Sequence, residues 1–242
     1  MIVDKKATLG DLYLIPNLLG ETSVDSSLPP LIASIVSGLT HFAVEDERNA
    51  RRFIKQLCPE KVIRELSFLT LNEHTKKEEI PPLAAPLEAG ISVGVISEAG
   101  CPGIADPGAD LVARAHVLGA RVRPLVGPCS MTLALMASGF NGQRWRFVGY
   151  APIDGEARKD TLRTLERDLY ANNETQILMD TPYRNQKLFD DLVGVCRSET
   201  RLCVASALTT RSESIQVRSI GEWRINPCSL PKEPALFLLG TS

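Results

Sequence analysis

"VISEAGCPGIADPGADLV", Val95 to Val112, leaves an apolar, β-branched strand, turns through Gly100, Gly103 and Gly108 with Pro102 and Pro107 between them, and restarts as a helix. The three glycines open backbone conformations closed to other residues and let a ligand approach main-chain atoms, while the prolines stiffen the corner. In a parallel α/β sheet such a corner stands at the carboxyl end of a strand, where ligands bind. A stiff turn with exposed amides and carbonyls suits a small polar cofactor. On this segment alone, a tight strand-to-helix connection without a ligand is the other reading. No GxGxxG follows the first strand and no GxxxxGK[ST] occurs, so dinucleotide and P-loop chemistry are not indicated.

Strands and helices alternate on both sides of this corner. Before it come strands "DLYLIP", "HFAVED" and "LSFLTLNEH", and helices at Pro29–Leu39, over "ERNARRFIKQL" and over "PPLAAPLEAG". Ala50, Phe53, Ile54 and Leu57 have the spacing of a buried helix face. Prolines open two of these helices, where a first turn tolerates them, and Gly90 and Gly119 close helices. After "ARVRPLVG" the pattern restarts with helix "SMTLALMASGF", strand "RWRFVGYAP", a polar-faced helix over "EARKDTLRTLERDLYAN", strand "TQILMDTP", helix "RNQKLFDDLVGVC", and strands "RLCVASALT", "SIQVRSI" and "ALFLLG". The alternation predicts an α/β fold with largely parallel sheet, in two α/β domains, 1–124 and 125–242, that join near Pro124 to Pro128.

Composition narrows the function classes. The chain has 242 residues, 44% hydrophobic and 23% charged, enough apolar material for one large or two small cores. No apolar run approaches the roughly 18 residues of a membrane span, and "MIVDKKATLG" lacks a signal-peptide core, so no membrane and a cytoplasmic location are expected. The six cysteines form no CxxC pair, which predicts reduced thiols and no metal site. A formal charge of -2 argues against nonspecific coating of nucleic acid, which needs many cations, and leaves a site-specific RNA contact open.

At this point the sequence resembles a known family in ordered segments from Asp11 to Ile215. "VISEAGCPGIADPG" resembles the segment "VSDAGTPxISDPG" of class III, tetrapyrrole-methylase-like S-adenosylmethionine-dependent methyltransferases. The nearest branch by these motifs methylates the ribose 2'-oxygen of a small-subunit ribosomal RNA cytidine. In the same order, "GDLYLIPNLLG" resembles "GxLYLVPTPIGN", "FAVEDERNARRFI" resembles "AEDTRHTRKLL", and "PLVGPCSMTLALMASGF" resembles "PIPGPSAxxxALxxSG". Further on, "FVGYAPIDGEARKDTLRTL" resembles "FxGFLPxKxxxRxxxL", "MDTPYRNQKLFDDL" resembles "YESPHRxxxxLxDL", and "CVASALTTRSESI" resembles "xxARELTKxxE".

The resemblance implies a homodimer of two-domain α/β chains, with S-adenosylmethionine folded into a cleft between domains and held mostly by main chain. Carried over by motif, the cofactor positions are Pro16; Gly100, Cys101, Ile104 and Ala105; Cys129 and Ser130; Met179, Asp180 and Thr181; Ala207 and Leu208; and Pro234 and Ala235. A sulfonium methyl is already activated, so the protein has to position a nucleophile and, for a hydroxyl, remove a proton. Candidate proton acceptors are Glu98, Asp106 and Glu45, with Asp46 beside Glu45. Helix N-terminal carboxylates that favour the macrodipole are the other reading of Glu45 and Asp46. His74 is a further candidate base and equally an ordinary polar residue.

Arg48, Arg51, Arg52 and Lys55 crowd one helix, either as a solvated face or as a patch for RNA phosphates, and Arg184 has either a substrate contact or an internal ion pair. Several positions depart from the family pattern: Asn17 and Glu21 in the first loop, Ile153 and Asp154 where basic residues are usual, Ala207 for a glutamate and Thr210 for a lysine. The leading expectation is a methyltransferase acting on a ribosomal RNA ribose hydroxyl. Two others stay open: a tetrapyrrole-like or other small acceptor, and an S-adenosylmethionine-binding dimeric protein without catalysis.

Overall fold

The computed structural model describes residues 8–241; most of the stretch read for a signal peptide, residues 1–7, lies outside them. Two compact units part after Pro128. Among the described residues no helix is long and apolar enough to cross a membrane.

The first unit runs β1 (Leu12–Ile15), α1 (Val24–Ser27), α2 (Pro30–Gly38), β2 (His41–Val44), α3 (Glu47–Leu57), β3 (Ser67–Thr70), α4 (Ile80–Glu88), β4 (Val93–Ile96), α5 (Ala109–Leu118) and β5 (Val122–Pro124). Its sheet has the order β3-β2-β4-β1-β5, with every pairing parallel. Parallel strands joined by helical crossovers are covered on both faces. All four residues of β4 are buried accordingly. One core packs Leu83, Leu87, Leu111 and Ala115 of α4 and α5 on one face. The other packs Ile32, Val36, Phe53 and Ile54 of α2 and α3 on the opposite face. The face of α3 expected from its spacing, Ala50, Phe53, Ile54 and Leu57, is the buried one. Pro124, which has no N–H to give to a ladder, sits in β5 at the sheet edge, where only β1 pairs with it.

The second unit runs α6 (Ser130–Ser138), β6 (Trp145–Tyr150), α7 (Gly155–Asn172), β7 (Thr175–Met179), α8 (Asn185–Val195), β8 (Arg201–Ser206), β9 (Ser214–Ser219), α9 (Ile220–Ile225) and β10 (Ala235–Gly240). Here the expectation of a largely parallel sheet fails. The order is β6-β7-β10-β8-β9, and only β6 and β7 pair in parallel. Residues 207–213 turn β8 directly back along β9, and a direct reversal gives an antiparallel pair. The last strand, β10, then inserts antiparallel between β7 and β8. Its six residues are all buried. Phe237 and Leu239 of β10 share a core with Leu162, Leu165 and Leu169 of α7, Leu188 and Phe189 of α8, and Trp223 of α9. The indole of Trp223 donates to the Leu202 carbonyl at 3.1 Å, which satisfies the one polar atom this large side chain buries.

Candidate functional site

In the first unit, the carboxyl ends of β1, β2 and β4 bring the expected positions together. The chain after β1 is stitched to the glycine corner: the Asn17 amide donates to the Gly100 carbonyl at 2.8 Å, and the Asn17 side chain donates to the carbonyls of Ser97 at 2.9 Å and Glu98 at 3.1 Å. Asn17, a departure from the family motif, is therefore a buried clamp on the corner. Pro16 packs so closely on Gly127 that a Cβ there would lie 2.2 Å from the proline ring. The Cys101 thiol donates to the Pro128 carbonyl at 3.4 Å. Gly100, Gly103 and Gly108 all take positive φ, and so does Ala105, at 61°. Gly103 is exposed, and a Cβ there would meet only the Ala109 amide nitrogen, at an ordinary contact distance of 3.9 Å, so the corner's main chain is approachable from that side.

Three carboxylates from two strand ends meet at this corner, Glu45 after β2 and Glu98 and Asp106 after β4. Glu45, after β2, accepts from the Glu98 amide at 3.1 Å. Glu98, after β4, accepts from Asn49 Nδ2 at 2.6 Å. Burial raises the Glu98 carboxyl above its ordinary value; the Asn49 donation works against this, and repulsion from Asp46 and Glu45 adds to it. Asp106 is pushed up to about 6, first by burial and then by the charge of Glu45, with a Ser97 hydrogen bond opposing and Glu98 adding further repulsion. Asp46 serves the helix instead, capping α3 by accepting from the Asn49 amide at 2.8 Å. His74 is exposed, 3.6 Å from the neighbouring Glu73.

In the second unit, one end of the three central strands collects most of the remaining positions. Ala235 pairs with Ser206, and Leu236 with Met179, so Met179, Ala207, Leu208, Pro234 and Ala235 stand at one end of three adjacent strands. The Ala207 amide donates to the Pro234 carbonyl at 3.0 Å. Cys129 and Ser130 begin α6. Phe140, just past the C-terminus of that helix, packs on Gly240 at the far end of β10, so α6 runs away from the Ala235 edge. Ala207 and Thr209 hold positive φ, 49° and 69°, without being glycines. Asp180, buried, pairs with Arg184, so a residue expected to touch cofactor and one expected to touch substrate bind each other. Thr181, beside them, is exposed.

Of the cations on α3, Arg51 pairs with Glu47 and lies over the Phe68 ring, 5.0 Å from its centroid. Lys55 donates to the Pro59 carbonyl beyond the helix end. Arg48 and Arg52 make no ion pair among the described residues. At the departure from the family's basic loop, Asp154 caps α7 by accepting from the Ala157 amide at 2.9 Å, while Ile153 is 75% exposed. Among the described residues no cluster of three or more His, Cys, Asp or Glu side chains is placed to hold a metal ion.

Curated relatives settle the lineage. Ribosomal RNA small subunit methyltransferase I of Xylella fastidiosa is 30% identical over 209 residues, 86% of this chain and 72% of the relative. The protein of that name from Streptococcus pyogenes serotype M6 is 30% identical over 219 residues, 90% and 71% of the two chains. The one from Vibrio cholerae serotype O1 is 29% identical over 211 residues, 87% and 69%. The chain belongs to the ribosomal RNA small subunit methyltransferase I family. With that family it is a class III, tetrapyrrole-methylase-type enzyme, an S-adenosylmethionine-dependent methyltransferase. No family model matches the chain.

Solved structures agree on the fold. The methyltransferase CobJ superposes with a TM-score of 0.63 at 15% identity, covering 96% of this chain and 95% of that one. Uroporphyrin-III C-methyltransferase from Thermus thermophilus, complexed with S-adenosylhomocysteine, gives 0.56 at 18% identity, covering 96% and 97%.

Sequence reasoning missed two parts of the first unit's site. The Asn49 contact with Glu98 joins residues 49 positions apart, and no local pattern marks it. A cavity of about 520 Å³ between the chain after β1 and α3 reaches Glu98 and includes Arg52 and Gln56 in its wall. Arg52 carried a signal in the cation cluster; Gln56 carried none.

Proposed function

We propose that this chain transfers a methyl group from S-adenosylmethionine to a ribose 2'-hydroxyl of small-subunit ribosomal RNA, with Glu98 as the proton acceptor. The observation that carries the reading is the carboxylate cluster at the ends of β2 and β4, in a chain whose relatives are named as ribosomal RNA methyltransferases.

The residues present fit a sulfonium cofactor. Glu45, Glu98 and Asp106 repel one another, and a cation brought near them relieves that repulsion. Within the first unit, the exposed main chain at Gly103 and the positive φ of Ala105 suit backbone contacts of the kind the carried-over positions there require. When bound, the cofactor supplies a methyl carbon already activated for displacement.

The protein's own work is proton removal and positioning. The Glu98 carboxylate would accept the proton that the ribose hydroxyl loses as the sulfonium donor, when bound, gives up its methyl group and leaves as the neutral thioether. Its raised affinity for protons brings it closer to the working pH of a general base. Asn49 fixes Oε2, which leaves Oε1 for the hydroxyl. Glu45 fixes the Glu98 main chain through the amide. Arg48, Arg51 and Arg184 enter the proposal as residues near the RNA path; the two pairs made by Arg51 and Arg184 limit them to orienting neighbours in the free chain.

The same reading includes a homodimer, taken from the motif resemblance and tested by sedimentation of the full chain, and a cytoplasmic location, where an enzyme acting on ribosomal RNA would meet its substrate. The activity is tested with labelled S-adenosylmethionine and small ribosomal subunits that lack the modification. Label in a 2'-O-methylated nucleotide, lost in Glu98→Gln, is the expected result. Cofactor binding with no label in RNA would redirect the reading to a small acceptor.

A further inference from the structure

The cavity beside Glu98 is walled on one side by α3, where Asn49, Arg52 and Gln56 follow one another at the i, i+3, i+7 spacing of a single helix face. Leu19 and Thr22, from the chain after β1, form the opposite wall. At about 520 Å³ it lies within the roughly 300–1,000 Å³ of small-molecule sites, so a single nucleotide fits and a helical stem does not.

Its polar groups are unequally committed. Asn49 holds Glu98, and the neighbouring cations Arg51 and Lys55 are held by Glu47 and the Pro59 carbonyl. The Arg52 guanidinium, in contrast, makes no ion pair and the Gln56 amide no hydrogen bond among the described residues. A guanidinium without a carboxylate partner suits a phosphate, and a free carboxamide suits the donor and acceptor edge of a base. One helix face thus carries a phosphate-binding guanidinium, a base-reading carboxamide and a link to the carboxylate, in that cavity.

We propose that this cavity receives the acceptor nucleotide, turned out of its RNA strand, with its phosphate on Arg52, its base edge on Gln56 and its ribose toward Glu98. The inference rests on the proposed RNA methylation and adds where the acceptor lies. A paired nucleotide has its Watson–Crick edge occupied, so an enzyme that reads that edge in a pocket of this size has to extrude the nucleotide or use an unpaired strand.

The test uses the full chain, unmodified small ribosomal subunits and steady-state transfer, with Arg52→Glu and Gln56→Ala. Both side chains are exposed on a helix, and unchanged thermal midpoints verify folding. Arg52→Glu is expected to raise KM for the RNA about tenfold, the loss expected for a charged hydrogen-bonded contact, and to lower the salt dependence of binding by about one phosphate. Calorimetric affinity for S-adenosylmethionine stays at the wild-type value. Gln56→Ala raises KM less, and ultraviolet crosslinking of the RNA maps to the peptides of α3 and residues 17–22. Wild-type KM in both variants, with crosslinks elsewhere, overturns the inference while the activity stands. A wild-type chain that binds the cofactor and methylates no RNA overturns the proposed function and this inference together.

Discussion

The corners after β4 and after β8 make the same demand on the backbone and meet it with different residues. After β4, glycines at 100, 103 and 108 take positive φ, with Ala105 as the exception. After β8, no glycine is present, and Ala207 and Thr209 take positive φ against the preference of their side chains. Such residues cost on the order of 1–3 kcal/mol each and persist where their surroundings over-determine them. Ala207 is held at both ends: its amide donates to Pro234, and its carbonyl accepts from the Thr210 amide at 3.1 Å and hydroxyl at 2.7 Å. The Thr209 amide donates to Glu213 at 2.7 Å. The electrostatics differ as well. The β4 corner concentrates carboxylates whose protons are held too tightly, whereas Glu213 at the β8 corner is spent on main chain. On the proposed reading the first corner moves a proton, while the hydrogen bonds of the second hold a shape.

That contrast breaks most visibly at Glu98. Glu98→Gln should lower methyl transfer to RNA roughly 100- to 10,000-fold, the range for a lost general base, with cofactor affinity within a few-fold of wild type. An active variant would leave the β4 corner, too, with a purely structural part. Next in size, Gly108→Ala forces a side chain into φ 137°, with its Cβ 3.3 Å from the Gly103 amide nitrogen. It should destabilise the first unit by about 1–3 kcal/mol in denaturant melts. At the β8 corner, Ala207→Gly removes strain and adds freedom to the unfolded chain, so the two effects offset. Stability should change by less than about 1 kcal/mol, and a clear loss would show that the side chain packs rather than strains.

The remaining effect is a pH dependence. The Asp106 carboxyl sits at about 6 in the folded chain against an ordinary 3.8, so the fold binds that proton more tightly than the unfolded chain does. Its contribution is fully present below the ordinary value and disappears as the pH rises through about 6. Asp106→Asn has no such loss. Its thermal midpoint relative to wild type should rise between pH 4 and pH 7 and level off above; a flat difference would mean that burial does not strain this carboxyl.

Of the two corners, only the first was legible before folding. Gly100, Gly103 and Gly108 announce a turn because glycine alone takes such conformations at little cost, while Ala207 and Thr209 carry no such mark. The elements were legible for the same local reason: α3 was read to its ends, Glu47 and Leu57, from spacing alone. The parallel pairing expected for the second sheet was not, because alternation of strand and helix says which segments form and leaves open which neighbours they take.

Local chemistry along the chain, its apolar period, its prolines at helix starts and its glycine corner, determined the α/β class and the position of one glycine-rich turn, since those signals act over a few residues. Tertiary structure alone decided that β10 slots antiparallel between β7 and β8, that Asn49 grips Glu98, that Asp180 holds Arg184, and that Arg52 faces a cavity without a partner. Apart from the Asp180–Arg184 pair, which needs the buried site to form, each of these joins groups from separate segments, and their partnership exists only once burial has chosen which segments lie side by side.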